Sequence, residues 1–77
     1  MKEVILKAPT QNVVEASIAH WFFEEGDKVE KGQDLVEISF DGMASILPAP
    51  ASGTLAEVYF ETGEVVEIGE VIAGIED

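Results

Sequence analysis

Few side chains in this 77-residue chain are equipped for chemistry, and their spacing narrows the options further. The single histidine, His20, stands beside Trp21 and reads as a structural or surface residue, because catalysis would need a partner and a pocket. Ser17, Ser39, Ser45 and Ser52 lack the strand-to-helix elbow that exposes a nucleophilic serine. Cysteine is absent, which removes thiolate nucleophiles, thiolate zinc sites and disulfides and leaves the redox compartment undetermined. Glu24-Glu25-Gly26-Asp27 is dense enough in carboxylates to suggest a cation. Glu61-Thr62-Gly63-Glu64 repeats that pattern, so turn chemistry used twice is the better reading. Primary amines occur only at Lys2, Lys7, Lys28 and Lys31. No triad, metal constellation or phosphate loop emerges, so no catalytic or metal-ligating residue is assigned and the chain is not expected to be an enzyme. One further local pattern is a turn, Phe40-Asp41-Gly42-Met43. Asp-Gly between strand-like runs signals a two-residue hairpin turn, which needs positive φ at both central positions.

Charge sets the company such a chain can keep. Four lysines, no arginine and sixteen acids give a formal net charge of −12. Nucleic-acid affinity comes largely from basic residues that neutralise phosphates, so DNA and RNA are excluded as partners. An anionic membrane surface is disfavoured for the same reason. No apolar run approaches the length of a membrane helix, and Met1-Lys2-Glu3-Val4 does not read as a signal peptide. A cytoplasmic or organelle-matrix location is expected. Strong negative charge favours solubility and steering toward basic partners.

The elements that must position the hairpin are strands. Val and Ile supply sixteen residues, and no segment carries a sustained helical stripe. Strands are expected near 3–7, 14–23, 34–40, 43–48, 54–60 and 71–75, with shorter ones at 28–30 and 65–68. An internal repeat organises them. At a shift of 37, Ala19, Phe23, Glu24, Gly26, Val29, Glu30 and Gly32 meet Ala56, Phe60, Glu61, Gly63, Val66, Glu67 and Gly69. Upstream, Ile5-Leu6-Lys7-Ala8-Pro9 matches Ile46-Leu47-Pro48-Ala49-Pro50 at a shift of 41, which implies four extra residues in the first copy.

Two copies of one strand unit imply two sheets related by a pseudo-two-fold axis, with the two halves facing each other across one core, in an all-β flattened barrel. Residues 1–77 then form one domain, with repeats 5–38 and 46–75 joined by a hairpin over 39–45. The shared core is Ile18, Leu35, Ile38, Leu55, Ile72 and Ile75. Alternation breaks at Ile18 to Trp21 and again at Leu55 to Val58, so a bulge is expected in each half. In the joining hairpin Phe40 faces Met43, Ile38 faces Ser45 and Val36 faces Leu47. Phe40 and Met43 are either a cross-strand apolar pair or an exposed contact for a partner.

These residues resemble the biotinyl/lipoyl attachment domains, and the lipoyl type in particular. The resemblance rests on Ile18, Trp21, Gly26-Asp27-Lys28-Val29-Glu30-Lys31-Gly32, Leu35, Glu37-Ile38, Pro48-Ala49-Pro50 and Gly53, and it covers nearly the whole chain. It implies a barrel-sandwich hybrid of two four-stranded antiparallel sheets. It also implies kinship with the swinging-arm domains of 2-oxo-acid dehydrogenase acyltransferase components, monomeric in isolation and docking to larger enzyme components. The family's modified lysine lies on the hairpin, and nine residues separate Ile38 from Pro48, as in the family. Here that position holds Gly42, with lipoyl-like Asp41 before it and biotin-like Met43 after it. Amide formation with lipoate or biotin needs a primary amine, which glycine lacks. The resemblance therefore implies a scaffold with no cofactor as written, able to take lipoate, or less readily biotin, only if position 42 were lysine. Two other readings follow from the same family. One is an adaptor module of the secretion or efflux type, although those commonly part the halves with a long helical insert. The other is a biotin-carboxyl-carrier-like relative.

Overall fold

Valine- and isoleucine-rich runs broken by glycine turns fold as short strands. The structure, a computed structural model, describes residues 1–8 and 10–77; Pro9, part of the Ile5-to-Pro9 match, lies outside the described residues. Eight strands follow in order: β1 (Lys2–Ile5), β2 (Glu15–Trp21), β3 (Lys28–Val29), β4 (Asp34–Phe40), β5 (Met43–Pro48), β6 (Gly53–Val58), β7 (Val65–Glu67) and β8 (Val71–Glu76). They build two four-stranded sheets, ordered β1-β8-β6-β3 and β5-β4-β2-β7, with every pairing antiparallel. Among the described residues no helix is long and apolar enough to cross a membrane.

Exchanging β1 with β5, β2 with β6, β3 with β7 and β4 with β8 converts one sheet order into the other. The halves do not face each other as separate sheets. Each sheet takes two strands from each half, so the first half's β1 and β3 find their hydrogen-bond partners only on β8 and β6. The bulges fall where alternation breaks, between Ile18 and His20 against β4 and between Leu55 and Glu57 against β8.

Turn hydrogen bonds repeat between the halves. Gly26 N–H donates to the Leu55 carbonyl and Gly63 N–H to the Ile18 carbonyl, each at 2.8 Å. Gly32 N–H donates to Ala49 at 3.0 Å and Gly69 N–H to Leu6 at 2.8 Å. That last pair corrects the upstream alignment. Leu6 corresponds to Ala49, a shift of 43 (49 − 6), where the glycines differ by 37 (69 − 32), so the first copy carries six extra residues (43 − 37) rather than four. The Ile-Leu and Ala-Pro identities mislead because strand equivalence is decided by ladder register, not by local likeness.

All six expected core residues are at most 1% exposed, and they join Val4, Leu6, Val29, Val36, Val66 and others in one cluster. Trp21 packs at its margin and donates its indole N–H to the Phe60 carbonyl at 3.0 Å, tying the halves together.

Gly53 opens β6 at φ 154°, and a Cβ there would fall on the Glu76 carbonyl of the neighbouring strand. Gly53→Ala is expected to cost about 1–3 kcal/mol by overpacking, read as a lower urea midpoint with an unchanged slope. An unchanged midpoint would show that β8 yields freely at that carbonyl.

Candidate functional site

β4 and β5 form the hairpin, and its register is set by a two-residue turn. Phe40 pairs with Met43, Ile38 with Ser45 and Val36 with Leu47. Asp41 and Gly42 adopt φ 48° and 75°, both positive, as a type I′ turn demands. Right-handed strand twist matches that turn, which is why Asp-Gly can close the hairpin without a bulge at its tip.

The structure separates the residues flanking the tip. Phe40 is 8% exposed and belongs to the core cluster, so it offers a partner little surface. Met43, opposite it, is 53% exposed. Asp41 and Gly42 are exposed, and nothing lies within 4 Å of where a Cβ on Gly42 would stand. The turn therefore presents backbone, one carboxylate and open space. It holds no amine: Lys2 and Lys28 lie on β1 and β3 of the other sheet, and Lys7 and Lys31 follow those strands.

The acid-rich turns are occupied with their own backbones. Asp27 Oδ2 accepts from Glu24 N–H and Glu64 Oε2 from Glu61 N–H, each at 2.8 Å. Gln33 Oε1 and Glu70 Oε2 do the same for Glu30 and Glu67, at 2.9 and 3.2 Å. One turn chemistry thus occurs four times, three times with an acid and once with Gln33 as acceptor, which explains the Glu-x-Gly-acid pattern as local folding. His20 is exposed and meets Phe22 edge to face at 4.9 Å. Tyr59 donates its hydroxyl to Glu57, and that hydrogen bond, then desolvation, then the Glu57 and Glu3 charges push the phenol above its ordinary range. Neither His20 nor Tyr59 lies on the hairpin.

Ile46 is 45% exposed on β5, a placement that its residue type does not announce. The signal was available: Met43–Pro48 is the one strand of the eight with no charged residue.

Against known proteins, residues 3–75 match the biotin/lipoyl family model described as "Biotin-requiring enzyme". The chain belongs to this biotinyl/lipoyl attachment family. It is 35% identical over its whole length to the dihydrolipoyllysine-residue succinyltransferase component of the 2-oxoglutarate dehydrogenase complex of Bacillus subtilis, covering 18% of that protein. It is 36% identical, over 87% of its length, to the dihydrolipoyllysine-residue acetyltransferase component of the pyruvate dehydrogenase complex of Corynebacterium glutamicum, covering 10% of it. The chain thus spans a fifth or less of these relatives. The solution structure of the lipoyl domain of the Azotobacter vinelandii 2-oxoglutarate dehydrogenase complex superposes with a TM-score of 0.75 at 26% identity, covering 96% of this chain and 98% of that one. A multi-domain long-chain acyl-CoA carboxylase shares the fold at a TM-score of 0.73 and 24% identity, covering 92% of this chain and 7% of that one. The chain is a lipoyl-type domain like those of the 2-oxo-acid dehydrogenase acyltransferases.

Proposed function

We propose that this chain is a lipoyl-type domain scaffold that bears no lipoyl or biotinyl group, because Gly42 occupies the attachment position. The observation that carries the reading is the turn itself. β4 and β5 are paired up to Phe40 and Met43, so Asp41-Gly42 is the entire loop and no other residue can take the tip. Attachment joins a lysine Nζ to the cofactor's carboxyl carbon as an amide, and neither residue of the turn has an amine to attack with.

Kinship with acyltransferase components supports a partner among the larger subunits of a 2-oxo-acid dehydrogenase complex, reached from the compartment that houses such complexes. In that setting the domain keeps its docking surfaces and transfers no acyl group. It contributes binding rather than catalysis. The test is intact-mass spectrometry of the unaltered chain after incubation with lipoate ligase, ATP and lipoic acid, and separately with biotin ligase and biotin. No added mass is expected in either. A single lipoyl or biotinyl adduct, mapped to any of the four lysines, would overturn the reading.

A further inference from the structure

Among the described residues the two sheets have four edges, and these are not equally protected. β3 is two residues long and β7 three, and β1 carries Lys2 and Glu3. Short strands and charges are the usual guards against strand addition. β5 has neither guard. It runs six residues, Met43–Pro48, without a charge, at the end of its sheet.

The pseudo-symmetry supplies an internal control. Lys2 pairs with Ile75 and Ser45 with Ile38; Glu3 pairs with Gly74 and Ile46 with Glu37. Ser45 and Ile46 thus stand where the equivalent edge has Lys2 and Glu3. The same fold position is charged on one edge and bare on the other.

Backbone geometry makes that bareness usable. Phe40 and Met43 close the turn as a hydrogen-bonded pair, and antiparallel pairs alternate, so Ala44 and Ile46 turn their N–H and C=O groups away from β4. Among the described residues, no turn or loop hydrogen bond occupies them. Beside this edge a groove of about 350 Å³ separates β5 from β1, walled by Val4, Ile5, Leu47 and Pro48, with Glu3 and Lys7 as its charged residues. Acids surround the strand: Asp41 at the tip, Glu37 beside Ile46 and Asp34 beside Pro48.

We propose that β5 is a strand-addition site for an extended partner segment in which basic and apolar residues alternate. The segment lies antiparallel to β5. Residues opposite Ala44 and Ile46 exchange backbone hydrogen bonds with them and point basic side chains over the outer face toward Glu37. Residues opposite Ser45 and Leu47 point apolar side chains into the groove. The net charge of −12 selects a basic partner and opposes pairing with a second copy of the chain. This site does not depend on what position 42 carries.

The test uses the 77-residue chain and an alternating lysine–valine octapeptide, with amide hydrogen exchange read by NMR. Added peptide is expected to slow exchange at Ala44 and Ile46. N-methylation of the peptide's lysines is expected to abolish this, because their amides face β5, while N-methylation of its valines leaves it. Ile46→Lys, at an exposed position, places a charge on the bare edge that repels a basic segment, and is expected to remove the protection. The proposal is overturned if both N-methylated peptides bind alike, which is charge attraction alone. It is also overturned if protection appears on β1, β3 or β7. Protection of Ala44 and Ile46 in the free chain together with dimeric sedimentation would assign the edge to a second copy, which also overturns it. Should Ile46→Lys not fold, the two N-methylated peptides decide the matter on the unaltered chain.

Discussion

Gly42→Lys is expected to gain one lipoyl group when incubated with lipoate ligase, ATP and lipoic acid. The change supplies the missing nucleophile at the tip of a hairpin whose register is already set. Nothing lies within 4 Å of the new Cβ, so the side chain projects into solvent where a ligase can reach it. The cost is conformational, because φ at position 42 is 75° and a left-handed residue with a Cβ costs about 1–2 kcal/mol. That lowers the melting midpoint without threatening the fold, and mass spectrometry with peptide mapping reads the adduct. A folded Gly42→Lys that stays unmodified would show that position 42 is not the attachment position. Modification by biotin ligase instead would move the chain to the biotinyl side, where Met43 already points. The modified variant also offers a functional control, since acyl transfer by it and none by the unaltered chain separates docking from carriage.

The largest stability losses are expected at Leu35 and Ile72, pseudo-equivalent side chains that are both 0% exposed. Leu35→Ala and Ile72→Ala should each cost about 2–5 kcal/mol, from lost transfer energy plus the cavity left behind. Marginal stability of roughly 0.05–0.15 kcal/mol per residue means that the double variant consumes most or all of what a domain this small has. Ladder register skips each of these residues, between Asp34 and Val36 on β4 and between Val71 and Ala73 on β8. Equal losses are therefore expected in the two halves, measured as urea midpoints at constant slope. An exposed control, Ile46→Ala, should stay within about 0.5 kcal/mol. A loss below about 1 kcal/mol at either buried site would show that the bulge relaxes to fill the space, and would argue against a single shared core.

Much of this architecture is legible in the chain because its signals are local. Asp41-Gly42 announces the turn, since backbone sterics admit few residues at two successive positive φ values. Strand periodicity places Ile18, Leu35, Ile38, Leu55, Ile72 and Ile75 inside, and broken alternation marks both bulges. Strand ends are less legible. β2 stops at Trp21 rather than residue 23, and β6 at Val58 rather than residue 60, because the chain turns into the tight loops closed by Asp27 and Glu64.

By itself the sequence determined the strand inventory, the two-fold repeat, the hairpin and the absence of an amine at its tip. These depend on residue type and short spacing. Tertiary structure alone decided that the halves interleave, that Leu6 corresponds to Ala49, that Phe40 is buried while Met43 is not, and that β5 is the unguarded edge. Each of these depends on which strand lies beside which. Hydrogen-bond pairing between segments far apart in the chain is set by the joint burial of one core, and no window of residues contains it.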